Sequence, residues 1–541
     1  MRLATRRRIA WVAAAAIGGC SSLDVTNTNA PDIDRVFSQP AAIEQAIGSG
    51  YLSCHNAVQD VAIQARNVKA DVLLLSLEVY SSGGDRVPIP RGPINSRAGA
   101  FNAGSGVDFE NLTLGARLSA NSVAALDRLT ARGGTLGSNA QNLRARAFGF
   151  FAVGCHQGWL AMEYDSSAVV TPATPADFVP SFSGAHTVMT AAIAMFDSAL
   201  AIVADSAAVV QTGGFSLPAS WMNDKALSRA EFIRLVRSYR ARFRAGVART
   251  PTERQAVNWS AVIADAENGI AADFLVTVSA ASGWLGGAVG GTTAPSMVSF
   301  YYGMADTSGS YDAWLAKPLE QRSAFLVRTP DRRWPQGTTD AQQRTSSIPA
   351  VDLTSRPYIA NRAASLDVYA WGLSSYAFNR LAYIRTNANN SGAYPEIIRA
   401  EMDLLAAEGY LQTGNITAAA AKIDVTRVGR GQLPALVGVI TQLGQPVPGG
   451  SGCVPRVPIG PAYTSTRCGD IREAMKWEKR METALTGHAQ WYFDSRGWGD
   501  LIANTATEFP VPSTELAARH KPDYALGGGY KSSAAKGTYG F

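Results

Sequence analysis

The sequence predicts a mainly α protein: divergent tetratricopeptide-like helical hairpins carrying long irregular loops. Apolar residues recur at three- and four-residue steps along most of the chain, the period of a helix with one buried face. Several such segments come in pairs joined by short polar turns, with small residues where two helices would cross. Two long stretches, 81–106 and 276–357, lose this period but keep Gly, Ser, Pro and, in the second, many aromatics. Loops of that length inside a packed body are usually functional or disordered, and abundant aromatics argue against disorder.

The chain opens with Arg2, Arg6, Arg7 and Arg8, then an apolar run over 9–17, then Gly18, Gly19 and Cys20. A basic start, a short apolar core and small residues form an export signal. The run is too short to span a bilayer, which takes about 20 apolar residues. The cysteine directly after the small residues resembles a bacterial lipoprotein signal. On that reading 1–19 is the signal peptide and Cys20 carries the acyl chains, palmitate among them. The alternatives are an ordinary secretory signal cut nearby and an uncleaved N-terminal anchor. Residues 20–40 are polar and turn-rich, and read as a lipidated tether. Several acyl chains on one cysteine hold a protein stably to a membrane, where one would not. No later stretch is expected to span a membrane.

Hydrophobic content is 46%, ordinary for a globular body with a full core. Four of the 49 basic residues lie in the leader, so the +6 of the whole chain becomes about +2 without it. No basic block remains, and no nucleic-acid partner is expected. Besides Cys20 there are four cysteines, Cys54, Cys155, Cys453 and Cys468. An even number in an oxidising compartment suggests disulfides, and four cysteines allow three pairings. Cys453 and Cys468 bracket a Pro/Gly-rich loop with no helix pattern to hold it, which favours their pairing. Cys54 would then join Cys155 across two predicted helices. The alternative is four buried free thiols. No cysteine pair has metal-ligand spacing with a nearby histidine, so neither a metal nor a cofactor is expected.

The periodicity predicts helices, in order, over 41–70, 109–129, 142–164, 185–204, 228–247, 259–270, 365–386, 395–413, 416–430 and 471–487. The second carries Leu112, Leu118, Val123, Leu126 and Leu129 as its apolar set. The fourth places Met189, Ile193, Phe196 and Leu200 on one face. The clearest hairpin joins 396–412 to 416–430 through Thr413, Gly414 and Asn415. Residues 41–541 then form one body: N-terminal helical repeats over 41–275, a loop-rich aromatic region over 276–357, a helical repeat over 358–431 and a C-terminal segment over 432–541.

The C-terminal part resembles a known family. The helix over 471–487 holds Glu478, Lys479 and Glu482 and leads into Tyr492, Phe493, Asp494, Arg496, Trp498 and Gly499. Phe509, Pro510, Pro512, Glu515 and Leu516 follow. This order resembles the closing signature of the SusD/RagB family of outer-membrane nutrient-binding lipoproteins. Tyr492 takes a Trp slot of that signature, Gly497 an Arg slot, and Lys479 stands where Arg is usual. Residues 399–431, from Arg399 and Glu401 through Gly414 to Arg427, Arg430 and Gly431, resemble a second family segment, with Asp424 in place of Asn. Gly529 and Tyr530 resemble its closing residues. The resemblance implies a SusD-like fold and a lipid-anchored position on the outer membrane, facing outwards. It implies a lid on a SusC-like TonB-dependent transporter, capturing oligosaccharide or peptide. The residues themselves read as structural: Asp494 and Arg496 are expected to form a partly buried ion pair beside two indoles.

No catalytic constellation emerges. The five histidines make neither a zinc-binding helical pair nor a partner to a nucleophile elbow, and no phosphate loop or dinucleotide fingerprint is present. Binding without turnover is the expected activity. A sugar binder needs flat apolar faces for C–H groups and amide, carboxylate or guanidinium groups for hydroxyls. Trp284, Tyr302, Tyr311, Trp314 and Trp334 supply such faces in the loop-rich region, with Asp312 and Arg332 nearby, and are the candidate ligand contacts. Phe300 and Phe325 are expected to pack as core, while Tyr301, whose polar tip also suits a wet edge, fits core and surface equally. The competing functional classes are an exported adaptor for envelope protein assembly, without a small ligand, and a hydrolase.

Overall fold

The computed structural model describes residues 37, 39–59, 79–80, 93–97, 106–205, 214–286, 296–362, 373–387, 390–527 and 536–541. Cys20 with the leader and most of the tether, most of the 81–106 loop, and Gly529 and Tyr530 lie outside the described residues.

The first helical segment breaks in two, α1 (Pro40–Gly48) and α2 (Gly50–Gln59), where the periodicity predicts one helix. The break has a packing reason. A Cβ on Gly48 would lie 2.3 Å from the Trp221 indole nitrogen, and one on Gly50 would lie 2.7 Å from the Ala152 Cβ. Only a run of small residues lets the chain pass so close, and Gly is a weak helix former.

The pair α3 (Val107–Ala131) and α4 (Asn139–Glu163) forms the first long hairpin. The Ser138 side chain caps α4 by accepting from the Gln141 N–H. Helix α4 is buried along most of its length because helices pack on several of its sides. Gly158 is the contact point with α6 (Arg229–Gly246): a Cβ there would lie 2.1 Å from the Phe243 ring. Helix α5 (Ala185–Ala204) corrects one expectation, since it is long and apolar enough to cross a membrane. It packs instead on α4 and α6, burying Val188, Met189, Ala192, Phe196, Ala199 and Val203.

Helix α6 starts with a capping box between Ser228 and Glu231, and is followed by α7 (Pro251–Gln255) and α8 (Trp259–Glu267). Helices α9 (Arg399–Gln412) and α10 (Ile416–Arg427) form the second long hairpin. Gly414 turns it at φ +82°, and Asn415 caps α10 by accepting from the Ala418 N–H. Helix α11 (Ile471–Thr483), capped by Asp470, packs on both, and α12 (Gln490–Trp498) closes the C-terminal segment.

Two expected helical stretches are partly strand. Where a helix over 365–386 is predicted, the described residues form the strand Leu373–Phe378 and a single turn, Ala382–Arg385. That strand lies inside a four-stranded antiparallel sheet, between Ser296–Val298 and Ile359–Asn361, with Val79–Tyr80 at the far edge. The strand Gly392–Ile397 precedes α9 and pairs with Phe274–Val278. Serine and aromatic residues fit a buried sheet once neighbouring strands supply the ladder, a choice that local periodicity does not encode.

A disulfide joins Cys453 to Cys468 beside the small hairpin of Arg456–Pro458 and Thr466–Cys468. Cys54 on α2 and Cys155 on α4 do not form the expected second bond and are buried free thiols. Burial pushes the Cys155 thiol well up, aided by its neighbour Cys54, which suppresses the thiolate that disulfide formation requires.

Candidate functional site

The five candidate aromatics are in the core. Trp284, Tyr302, Tyr311, Trp314 and Trp334 are each at most 5% exposed. Trp284 packs on Tyr51 and His55. Tyr302 sits between Trp334 and Trp491. Tyr311 donates to the Phe300 carbonyl and stacks with Trp314 and Phe325. The Arg322 guanidinium covers Trp314 at 4.4 Å from its centroid. The expectation that these rings offer stacking faces to a ligand is therefore corrected. Short helical turns and strands fold around them, and all five join the main hydrophobic core together with the helices, where a ring gains by leaving water. Phe300 is buried as expected, and Tyr301, for which the sequence favours neither core nor surface, is buried too. Trp334 forms part of a cleft wall.

A groove of about 550 Å³ with mixed apolar and amide lining lies between α2 and α3. Asn111, Leu114, Leu118 and Asn121 line it from α3. Their spacing of three, four and three residues puts them on one helical face. Leu114 is 59% and Leu118 43% exposed, so two apolar side chains face outward between two amides. The Asn111 and Asn121 side chains make no hydrogen bond among the described residues, which leaves donors and acceptors at both ends of the stripe. From the opposite wall, Asn56 on α2 donates to the Gly283 carbonyl at 2.8 Å and accepts from the Leu285 N–H at 3.0 Å. It therefore fixes the loop that brings Leu285 to the rim.

Leu118 was expected on the buried stripe of its helix. Leu112 and Leu118 are six residues apart, which separates them by about 120° around a helix, so they cannot share a narrow face. Two leucines and two asparagines repeating on the face opposite Leu112 are the signal that identifies the groove.

Charged residues brace this wall. Arg117 donates to the Pro175 and Phe178 carbonyls at 3.1 and 2.8 Å, tying down a loop that exposes Phe178 and Val179. Burial and the nearby Arg519 hold the Arg117 guanidinium below its ordinary range. Behind α2, His55 bonds Glu396 at 2.9 Å and the Leu285 carbonyl at 2.8 Å. Burial would raise Glu396, but His55 and Arg242 outweigh it and hold the carboxyl low.

The C-terminal motif is structural, with different partners from those expected. Asp494 pairs with Arg254 at 3.0 Å and Lys479 at 2.8 Å, while Arg496 donates to the carbonyls of Thr507 and Gly246. Two residues apart on α12, Asp494 and Arg496 point to different sides and cannot meet. Burial, then Arg249, lowers Arg496 to about 9. Among the described residues no group of His, Cys, Asp and Glu is placed to hold a metal ion.

No family model matches the chain, and no curated protein matches it. Solved structures do. A SusD superfamily protein from Bacteroides vulgatus aligns with a TM-score of 0.50 over 89% of this chain and 97% of its own, at 14% identity. Another SusD superfamily protein, from Bacteroides thetaiotaomicron, aligns with a TM-score of 0.51 over 90% of this chain and 99% of its own, at 9% identity. Helical hairpins, the small sheet and the C-terminal segment thus assemble into one architecture, and the chain has the SusD-like fold.

Proposed function

We propose that the protein is a cell-surface nutrient-binding lipoprotein, anchored through Cys20, that takes an oligosaccharide into the groove between α2 and α3. The observation that carries this reading is the outward stripe of Leu114 and Leu118 between the amides of Asn111 and Asn121, whose side chains make no hydrogen bond among the described residues. A sugar ring has a C–H face that suits the leucines and a rim of hydroxyls that suits the amides. None of the groove's lining residues among the described residues is a carboxylate. The SusD-like fold and the leader sequence support delivery of the captured ligand to a SusC-like TonB-dependent transporter.

The test is calorimetric titration of the mature protein with a panel of neutral glycans and peptides. The double variant Asn111→Ala/Asn121→Ala is expected to bind its glycan about tenfold or more weakly, at roughly 1 kcal/mol per lost hydrogen bond. Binding of peptides alone would replace the ligand class, and unchanged glycan affinity in the double variant would move the site elsewhere. Loss of glycan uptake in a deletion strain separates a nutrient binder from an envelope adaptor.

A further inference from the structure

A second cleft, of about 300 Å³, differs in charge from the groove. Arg332, Trp334, Gln336, Ser346, Arg356 and Gln432 line it, with two prolines, and no acidic side chain is among its lining residues. Two exposed guanidinium groups therefore share one small concavity. The backbone positions both. The Arg332 N–H donates to the Gly431 carbonyl at 2.9 Å, and the Arg356 side chain donates to the Arg430 carbonyl at 2.9 Å. The Arg332 side chain itself makes no hydrogen bond or ion pair among the described residues.

The carboxylates behind the cleft are already taken. Asp331 is fully buried, with Arg333 at 2.8 Å and the Trp477 indole N–H at 3.1 Å. Glu482, also fully buried, faces Arg380 at 3.1 Å, Arg333 at 3.2 Å and Arg430 at 3.6 Å. The charge of Arg332 and Arg356 is thus not neutralised inside the cleft. Arginine's planar fork matches a carboxylate with two parallel hydrogen bonds. Gln336 donates its amide to the carbonyls of Asp331 and Trp334, which leaves its side-chain oxygen as an acceptor for a hydroxyl. The volume sits at the small end of ligand pockets, enough for a single ring rather than a chain.

We infer that this cleft is a subsite for the carboxylate of an acidic sugar: Arg332 and Arg356 grip a uronic acid residue of a glycan, and Gln336 and Gln432 take its hydroxyls. The inference rests on the glycan-binding reading and assigns a charge preference to it. The site is separate from the groove, since the two share no lining residue.

The experiment titrates the mature protein with tetragalacturonate and with the same oligomer methyl-esterified, at low and physiological salt. The acid is expected to bind at least tenfold more tightly than the ester, and more weakly as salt rises. Arg332→Met is expected to weaken the acid about tenfold or more and leave the circular dichroism spectrum unchanged. Because the Arg332 side chain makes no hydrogen bond or ion pair among the described residues, this variant keeps the test clear of unfolding, whatever Arg356→Met does. Equal affinity for acid and ester, parental affinity in Arg332→Met, or no binding of the acid overturns the inference. A neutral glycan that binds and is lost in Asn111→Ala/Asn121→Ala, with no acid binding, overturns this subsite and leaves the groove standing. Absence of binding by every glycan overturns both.

Discussion

His156 makes the stability of the N-terminal helices depend on pH. It lies fully buried on α4, its Nδ1 donating to the Ala152 carbonyl at 2.8 Å and its Nε2 near the Ser53 hydroxyl at 3.3 Å. Helix α3 closes over the ring at Gly115, where a Cβ would lie 2.1 Å from Nε2. Burial disfavours the charged ring and lowers its pKa from 6.5 to about 4, with the Ala152 bond opposing part of the effect. Between those values the unfolded chain binds a proton that the folded chain refuses, so stability falls as pH falls through this window. From these two pKa values, His156 alone costs about 2 kcal/mol at pH 5 relative to pH 8. The measurement is urea unfolding of the parent and of His156→Gln at pH 8 and pH 5. Other groups titrate equally in both proteins, so the fall in stability is expected to be about 2 kcal/mol smaller in the variant. The same fall in both proteins would refute the neutral buried ring.

Trp314→Ala is expected to cost about 3–5 kcal/mol in denaturant unfolding while the folded protein keeps its ligand affinity, because the ring is core. A stable variant with lost affinity would restore Trp314 as a ligand contact. Gly158→Ala forces a methyl against Phe243 and is expected to destabilise by about 1–3 kcal/mol or more; an unchanged melting temperature would contradict the tight contact of α4 with α6. Replacing Cys453 and Cys468 together by Ser reopens a loop of 15 residues and is expected to cost about 3 kcal/mol, read from chemical denaturation at neutral pH. Cys20→Ala is expected to release the protein from membranes or leave its leader uncut, and fractionation like the parent would sink the lipid anchor.

Local order was legible in the sequence. The helix over 185–204 has the predicted ends, and the α9–α10 hairpin turns at the predicted Gly414 and Asn415, because periodicity and caps act within a few residues. The resemblance in 399–431 and 471–516 likewise pointed to the fold that the solved structures share. Partners and burial were decided by tertiary structure. The strand Leu373–Phe378 exists because Ser296–Val298 and Ile359–Asn361 flank it. Asp494 meets Arg254 and Lys479, far away in sequence or one helix back, rather than its near neighbour Arg496. Trp284, Tyr302, Tyr311, Trp314 and Trp334 read as binding faces in a loop, yet they are core, since a ring's exposure depends on what folds over it. The groove was hidden for the same reason. Leu114 and Leu118 are apolar residues left outside, and the sequence alone determines that they are apolar but not which side of α3 the rest of the molecule covers.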